Sequence, residues 1–479
     1  MPTVVDAPPR PGGAPLGARS FEIAAGATGL AEAIAAALRA KGASVRMDDG
    51  TLLQDVDALI DVTPFAPDAA PAVDPVKGLF ERARQAVAAG ARTVLAVSHL
   101  GAPFAAEQAS ARTGVAGLVR TLAKEQPDVD ARSLALDPLV SHHRLAEHVV
   151  AELTSERDHV EIGYVDGARK ALSVAPAERL PAAADSRVHL GAASVVLVTG
   201  GARGITAAVA RALARRFGCT LVLCGRSPLP EDAEDAELAA ALDLPALRRA
   251  IIAHKKASGP AAIEALASKV MAAREIRATL KDLAAAGARA DYHAVDVRDA
   301  AAFGALIDAI YARHGRIDGV VHGAGVLDDK LLAHKTRDAF DRVFDTKVAS
   351  ARTLAARLRP DVGFIAFFAS VSGAFGNRGQ IDYSAANDAL DKLAWWLSSR
   401  LAGKVVSLDW GPWGGAGMIS PELAREYERR GVGLIDPVLG AESFLDELLH
   451  GGSAPQVVLM NAPLAVMEGR SGAAVAEGE

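Results

Sequence analysis

The chain has 479 residues, half of them hydrophobic and 23% charged, with a net charge of −6. At ~100–200 residues per domain it should hold two or three domains, and its negative balance argues against a nucleic-acid footprint. Its two cysteines, Cys219 and Cys224, exclude a disulfide framework and suit a reducing cytoplasm. No apolar run reaches membrane-spanning length, and the opening MPTVVDAPPRPGG lacks the apolar core of a signal peptide.

Residues 1–19 are rich in Pro and Gly without periodicity and read as a flexible linker. From Phe21 onward, short apolar runs alternate with helical segments, the signal of an α/β fold. Strands are predicted at residues 21–24, 58–62, 93–97 and 131–135. An Ala/Pro-rich linker follows at about residues 175–186, and the cycle restarts. Further strands are predicted at residues 195–199, 220–224, 290–295, 319–321, 364–368 and 404–407. Residues 228–286 are too long for a bare connection between strands and carry helix-forming, charged sequence, so they read as a helical insertion.

The two halves echo each other. Gly26-Ala-Thr-Gly29 precedes an Ala-rich helix, as Gly201-Ala-Arg-Gly204 does. Asp57-Ala-Leu-Ile matches Asp318-Gly-Val-Val, and Ser98-His-Leu-Gly101 matches Ser370-Val-Ser-Gly373. The pattern predicts two Rossmann-type parallel-sheet domains in tandem, at residues 20–186 and 187–465, with a flexible tail over 466–479.

In the second half, Val195-Val-Leu-Val-Thr199-Gly200-Gly201-Ala-Arg203-Gly204-Ile205 reads as strand, glycine turn and helix start. Glycines let a backbone approach a pyrophosphate, and the helix N-terminus offers free N–H groups and a positive dipole end. Thr206 stands where many classical reductases carry another glycine. The next strand ends in Arg226-Ser227 rather than an acidic residue, which suits a 2′-phosphate and hence NADPH. Arg203 could help hold the same phosphate. Asp296 and Val297 are placed for adenine, and Gly323, Ala324 and Gly325 would flank the cofactor. His322 is assigned no chemistry.

Ser370 ends an apolar strand and precedes Tyr383 by thirteen residues; Asn387 follows Tyr383 by four. Tyr383 and Asn387 thus share a helix face. Ketone reduction needs a proton donor beside the developing alkoxide. A tyrosine serves if a nearby cation lowers its pKa, and Lys347 could supply that cation from a neighbouring helix. No His/Cys cluster suggests a metal.

With these residues the second half resembles a short-chain dehydrogenase/reductase, and more narrowly the ketoreductase domain of a type I polyketide synthase. In typical short-chain reductases Lys follows Tyr by four residues and an Asn sits on an earlier helix; here Asn387 and Lys347 are exchanged, as in polyketide ketoreductases. Ser407-Leu-Asp-Trp410-Gly411-Pro412-Trp413 resembles the family's strand-end motif beside the nicotinamide. Gly114-Val-Ala-Gly-Leu-Val-Arg120-Thr-Leu-Ala-Lys-Glu125 resembles its structural subdomain, a truncated Rossmann fold. The insertion and the Thr199–Ile205 run are closest in look to ketoreductases of polyunsaturated-fatty-acid and enediyne-type iterative synthases.

The resemblance implies NADPH-dependent reduction of a 3-ketoacyl chain on an acyl carrier protein, in polyketide or fatty acid biosynthesis, with other synthase domains as partners. It implies that Tyr383 protonates the alkoxide and Ser370 bonds the ketone oxygen. Lys347 lowers the Tyr383 pKa, and Asn387 holds Lys347 or a relay water. Val326-Leu327-Asp328-Asp329 resembles the fingerprint of B-type ketoreductases, in which the substrate arm enters beside this loop and the D-hydroxy product forms. Phe375 stands where the opposite group carries a Trp. Arg378 and Asp382 depart from the B-type pattern, replacing a usual Pro and a usual Asn. The first half has Ala111 thirteen residues after Ser98 and Val115 four beyond that, so it is expected to be non-catalytic. Two other readings stay open: a free-standing carbonyl reductase and a non-catalytic NADPH-binding scaffold.

Overall fold

The structure, a computed structural model, describes every residue except 27, 51–54, 66–73, 107–113, 179–180, 182–185, 231, 233, 416–420, 464–465 and 467–479. The described strands form two sheets. In the first half they are β1 (Pro2–Asp6), β2 (Ser20–Ala24), β3 (Ser44–Met47), β4 (Ala58–Asp61), β5 (Thr93–His99), β6 (Asp130–Leu136), β7 (Glu161–Val165) and β8 (Ala168–Val174). In the second half they are β9 (Val195–Thr199), β10 (Thr220–Gly225), β11 (Ala290–Ala294), β12 (Gly319–His322), β13 (Phe364–Ser370), β14 (Lys404–Trp410) and β15 (Gln456–Leu459).

The second sheet runs β11-β10-β9-β12-β13-β14-β15 and is parallel throughout. Its order reverses between β9 and β12, the switch point where α/β sheets open a crevice for ligands. The first sheet repeats this order from β3 to β7 and is parallel over that stretch. It stops at β3, where the second continues to β11. On the opposite edge β8 and β1 are added antiparallel. The segment expected to be a flexible linker thus begins with a strand, and that expectation is corrected. A five-residue edge strand, PTVVD, is too short and too exposed to show a two-residue period.

The insertion folds as helices Ala236–Ala239, Leu244–Ala253 and Pro260–Ala285. Most of the 466–479 tail, the greater part of residues 179–185 and Ala111 lie outside the described residues.

One apolar cluster crosses from half to half. Leu118 and Leu122 of helix Val115–Glu125 and Phe80 of helix Pro75–Ala88 pack with Phe340, Ile381 and Ala385 of the second half. Helix Val115–Glu125 lies so close on helix Ile381–Ser398 that a Cβ on Gly117 would stand 2.2 Å from the Ser384 carbonyl oxygen. The helix that carries Tyr383 therefore has one face on its own sheet and another on the first half.

Candidate active site

At the β9 carboxyl end the chain turns through Gly200, whose φ of +70° suits a residue without Cβ. A Cβ there would also crowd the Gly323–Ala324 backbone at 3.1 Å. Helix Gly204–Phe217 follows, and no side chain caps its first turn. Its free N–H groups and dipole suit an anion. A cleft of about 830 Å³ opens there, lined by Gly200, Arg203, Gly204, Ile205, Gly225, Arg226, Ser227, Val297, Gly323, Ala324, Gly325 and Lys347, among others. Arg226 is exposed, lines this cleft and acts on the nearby Asp296 carboxylate.

Other predicted residues stand differently. Thr199 is buried; its Oγ1 accepts from Ala324 N at 3.2 Å and pairs with His322 Nδ1 at 2.7 Å. It braces the turn from behind. Gly201 is packed on Val198. Asp296 is tied to Arg298 at 2.6 Å, and its neighbours Val295 and Val297 line the cleft instead. Pro412 lines a second cleft, not this one. Burial and the nearby Lys347 push His322 down to about 3, so it is a neutral strut.

The predicted constellation gathers at Tyr383. Lys347 of helix Arg337–Arg357 sends its buried Nζ to the Phe368 carbonyl at 2.6 Å and lies 5.3 Å from the Tyr383 ring centroid. Burial pulls Lys347 down to about 8, while the Asp391 and Asp409 carboxyls act to keep its proton. Those two carboxyls are themselves buried, and each acts on the other. Asp391 accepts from Ser407 Oγ at 2.6 Å, Asp409 accepts from Gln456 Nε2 at 2.8 Å, and burial pushes Asp409 up to about 7. Burial raises Tyr383 to about 12, against the pull of the Asn387 and Ser370 side chains, so the lowering expected from Lys347 is corrected: desolvation outweighs the pulls on this phenol. Asn387 is buried and donates Nδ2 to the Tyr383 carbonyl at 2.7 Å. Ser370 ends β13 and accepts from Ser372 N at 3.2 Å.

The second cleft, about 460 Å³, is lined by Ser370, Ser372, Gln380, Tyr383, Trp410, Pro412, Trp413 and Tyr427, among others. The two clefts share Ile205, Leu327, Ala369 and Tyr383, so Tyr383 stands where they meet. Leu327 and Asp329 also line the second cleft. Asp328 lines neither; its carboxylate is held by Lys330 and Arg342. Phe375 lines neither cleft.

Sequence reasoning missed three contributors. The inserted helix Pro260–Ala285 walls the cofactor cleft with Glu275, Thr279 and Asp282; Thr279 Oγ1 donates to the Ala202 carbonyl at 2.9 Å, and Glu275 pairs with Arg203 at 2.5 Å. Tyr292 lines the same cleft and donates to the Ser227 carbonyl at 2.6 Å. From the first half, Arg120 donates to Gly373 O at 2.7 Å and Lys124 to Gly376 O at 3.0 Å. Thr121 Oγ1 accepts from Asn377 N at 3.2 Å, and Glu125 accepts from Gly379 N at 2.9 Å. One face of a first-half helix thus fixes the backbone between Ser370 and Tyr383. The one available signal was the cluster of polar residues on a helix otherwise apolar.

The family model for the KR domain matches residues 194–415. A polyunsaturated fatty acid synthase polypeptide of Thraustochytrium sp. is 33% identical over 364 residues, covering 73% of this chain and 13% of that protein. Erythronolide synthase EryA3 of Saccharopolyspora erythraea is 30% identical over 458 residues, covering 90% of this chain and 12% of that protein. The chain therefore spans about an eighth of the length of these relatives. In fold it is similar to A-type ketoreductases from a modular polyketide synthase, with TM-score 0.74, 22% identity, and coverage of 98% of this chain and 94% of that one. It is also similar to the ketoreductase from the first module of phoslactomycin biosynthesis in Streptomyces sp. HK803, with TM-score 0.70, 22% identity, and coverage of 97% and 94%.

Proposed function

We propose that this chain, which belongs to the KR-domain family of type I polyketide and polyunsaturated-fatty-acid synthases, reduces the ketone of a 3-ketoacyl thioester with NADPH, the acyl group being carried on an acyl carrier protein. The observation that carries this reading is the junction of the two clefts at Tyr383, with Lys347 behind it and Ser370 beside it.

NADPH, when bound, supplies the hydride. The glycine turn, the uncapped helix start and Arg226 fit its phosphates, with Arg203 within the same cleft. Tyr383, kept protonated by burial, gives its proton to the oxygen that becomes the hydroxyl; an alkoxide is far more basic than this phenolate, so the transfer runs downhill. The Ser370 hydroxyl bonds the same oxygen. The Lys347 ammonium steadies the phenolate left behind. Asn387 fixes the first turn of the tyrosine helix through the Tyr383 carbonyl.

The first half does not repeat the Ser370–Tyr383–Asn387 spacing and acts as a scaffold. Leu327 and Asp329 flank the substrate side, which supports entrance of the acyl arm beside this loop and a D-hydroxy product. The test is NADPH consumption with 3-oxobutyryl thioesters, on N-acetylcysteamine and on an acyl carrier protein, followed by chiral chromatography. NADPH-dependent formation of the D-hydroxy product, faster on the carrier, is the expected result. No consumption on either substrate refutes the activity, and an L product refutes the substrate orientation.

A further inference from the structure

Asp382 is one of the two positions that depart from the B-type pattern, and it is not idle. It is buried beside the Lys335 ammonium at 2.7 Å, and both side chains are essentially shielded from water, at 1% and 0% exposure. Lys335 also donates to the Asp328 carbonyl. The other oxygen of Asp382 accepts from Tyr383 N at 2.9 Å. A continuous path therefore runs from the Leu327–Asp329 loop, through Lys335 and Asp382, to the backbone of the proposed proton donor.

The surroundings close the same gap. Lys330 N donates to the Gly379 carbonyl at 2.9 Å, and Gln380 Nε2 donates to Asp329 at 2.9 Å. Glu125 of the first half accepts from Leu332 N at 2.7 Å with one oxygen and from Gly379 N at 2.9 Å with the other. Lys335 directly precedes Thr336, the cap of the helix that bears Lys347. A buried ion pair adds little stability over an apolar pair of the same volume, because desolvation offsets its attraction. Two partners on one ammonium, the Asp382 carboxylate and the Asp328 carbonyl, do something an apolar pair cannot: they hold two backbone segments at a fixed separation.

We infer that Lys335 and Asp382 form a strap that sets the position of the substrate-side loop relative to Tyr383, and thereby the orientation of the ketone. They are positioning residues, since Leu327 and Asp329 meet the second cleft and the strap does not. The inference rests on the reading given under Proposed function. A small displacement of the loop lets the acyl chain lie either way across the cleft, so its loss relaxes product hand before it abolishes turnover.

The experiment uses the Lys335→Met/Asp382→Asn double variant, 3-oxobutyryl-N-acetylcysteamine thioester and NADPH. Methionine fills the lysine stem, and the asparagine oxygen still accepts from Tyr383 N. The expected result is an unchanged melting temperature and unchanged KM for NADPH. The thioester KM should rise about threefold or more, and the enantiomer ratio of the hydroxy product should fall about tenfold. A ratio and thioester KM equal to wild type overturn the strap. If the double variant does not fold, Asp382→Asn alone is read the same way, with an intermediate fall expected and an unchanged ratio overturning the inference. Wild type is measured first: a wild type that consumes no NADPH overturns the proposed activity and the strap with it, whereas an active wild type with indifferent variants overturns the strap alone.

Discussion

Ser20 N donates to Asp57 at 2.7 Å in the first half, and Val195 N donates to Asp318 at 2.8 Å in the second. The carbonyls of the same two aspartates then receive the first N–H groups of the next strand, from Thr93 and from Phe364. The halves are framed by one hydrogen-bond pattern, and the frame aligns them residue by residue. Thr93 matches Phe364, so His99, not Ser98, occupies the place of Ser370. The sequence echo between Ser98 and Ser370 is off by one, which in a strand puts the side chain on the opposite face.

The differences lie where a ligand would sit. Gly200 turns with positive φ and leaves its crevice open. Over the matching helix start in the first half, His142 stands 3.3 Å from where a Cβ on Gly29 would be. The second half extends its sheet by β11 and walls the crevice with the insertion; the first ends at β3. Two sheets on one frame have been finished differently: one leaves space at the switch point, and the other supplies a helix face that holds its partner's backbone between Ser370 and Tyr383.

The largest effect should come from Tyr383→Phe. Turnover is expected to fall at least ~100-fold with NADPH binding retained, whereas Ser98→Ala at the echoed position should stay within about twofold; steady-state rates and cofactor titration by fluorescence read both. Equal losses would erase the distinction between the halves. Next is the seam. Gly117→Ala places a Cβ against the Ser384 carbonyl and should cost about 1–3 kcal/mol of stability, read by denaturant unfolding, with turnover falling as the Tyr383 helix is displaced. An unchanged midpoint would mean that the two helices separate freely.

Arg226→Ala should weaken NADPH by about tenfold or more, ~1.5–3 kcal/mol for a lost charge-assisted contact, and leave NADH unaffected. Equal KM values for the two cofactors in wild type would remove the basis for that assignment. The smallest effect concerns pH. Lys347 is held down to about 8 by burial, so its cation is present below that pH and lost above it. Phenolate stabilisation goes with it, and kcat/KM should hold steady near neutrality and decline above about pH 8. In Asp409→Asn, one carboxyl that retains the Lys347 proton is gone, and the decline should begin at lower pH. A pH profile unmoved by that substitution would break the link between the buried carboxyls and Lys347.

All ten strands predicted from sequence are present, most of them as apolar runs bounded by turn residues, although β2, β6 and β11 carry polar residues within the run. The five others among the described strands are β1, β3, β7, β8 and β15: β1, β3 and β15 are short edge strands, β8 lies beside β1 and is half-exposed, and β7 is buried but its EIGYV sequence mixes charged, small and apolar residues. The glycine turn and the spacing of Ser370, Tyr383 and Asn387 were legible because each is a local pattern in the chain, and the structure brings Ser370 and Tyr383 to one cleft. Lys347 was legible by residue type and by resemblance. Glu125, Thr279, Tyr292 and the Lys335–Asp382 pair were not. Each is a polar side chain whose partner lies on a different element, up to 254 residues away for Glu125 and Gly379. Such pairings have no sequence period, because they are set by which surfaces meet after the two sheets pack. The sequence by itself determined an α/β chain with a glycine turn after an apolar strand and the Ser370, Tyr383 and Asn387 spacing. Packing decided which residues stand open to the clefts, which are struts, and that helix Val115–Glu125 of one half fixes the backbone of the other, since buried hydrogen bonds form only between groups that folding has brought together.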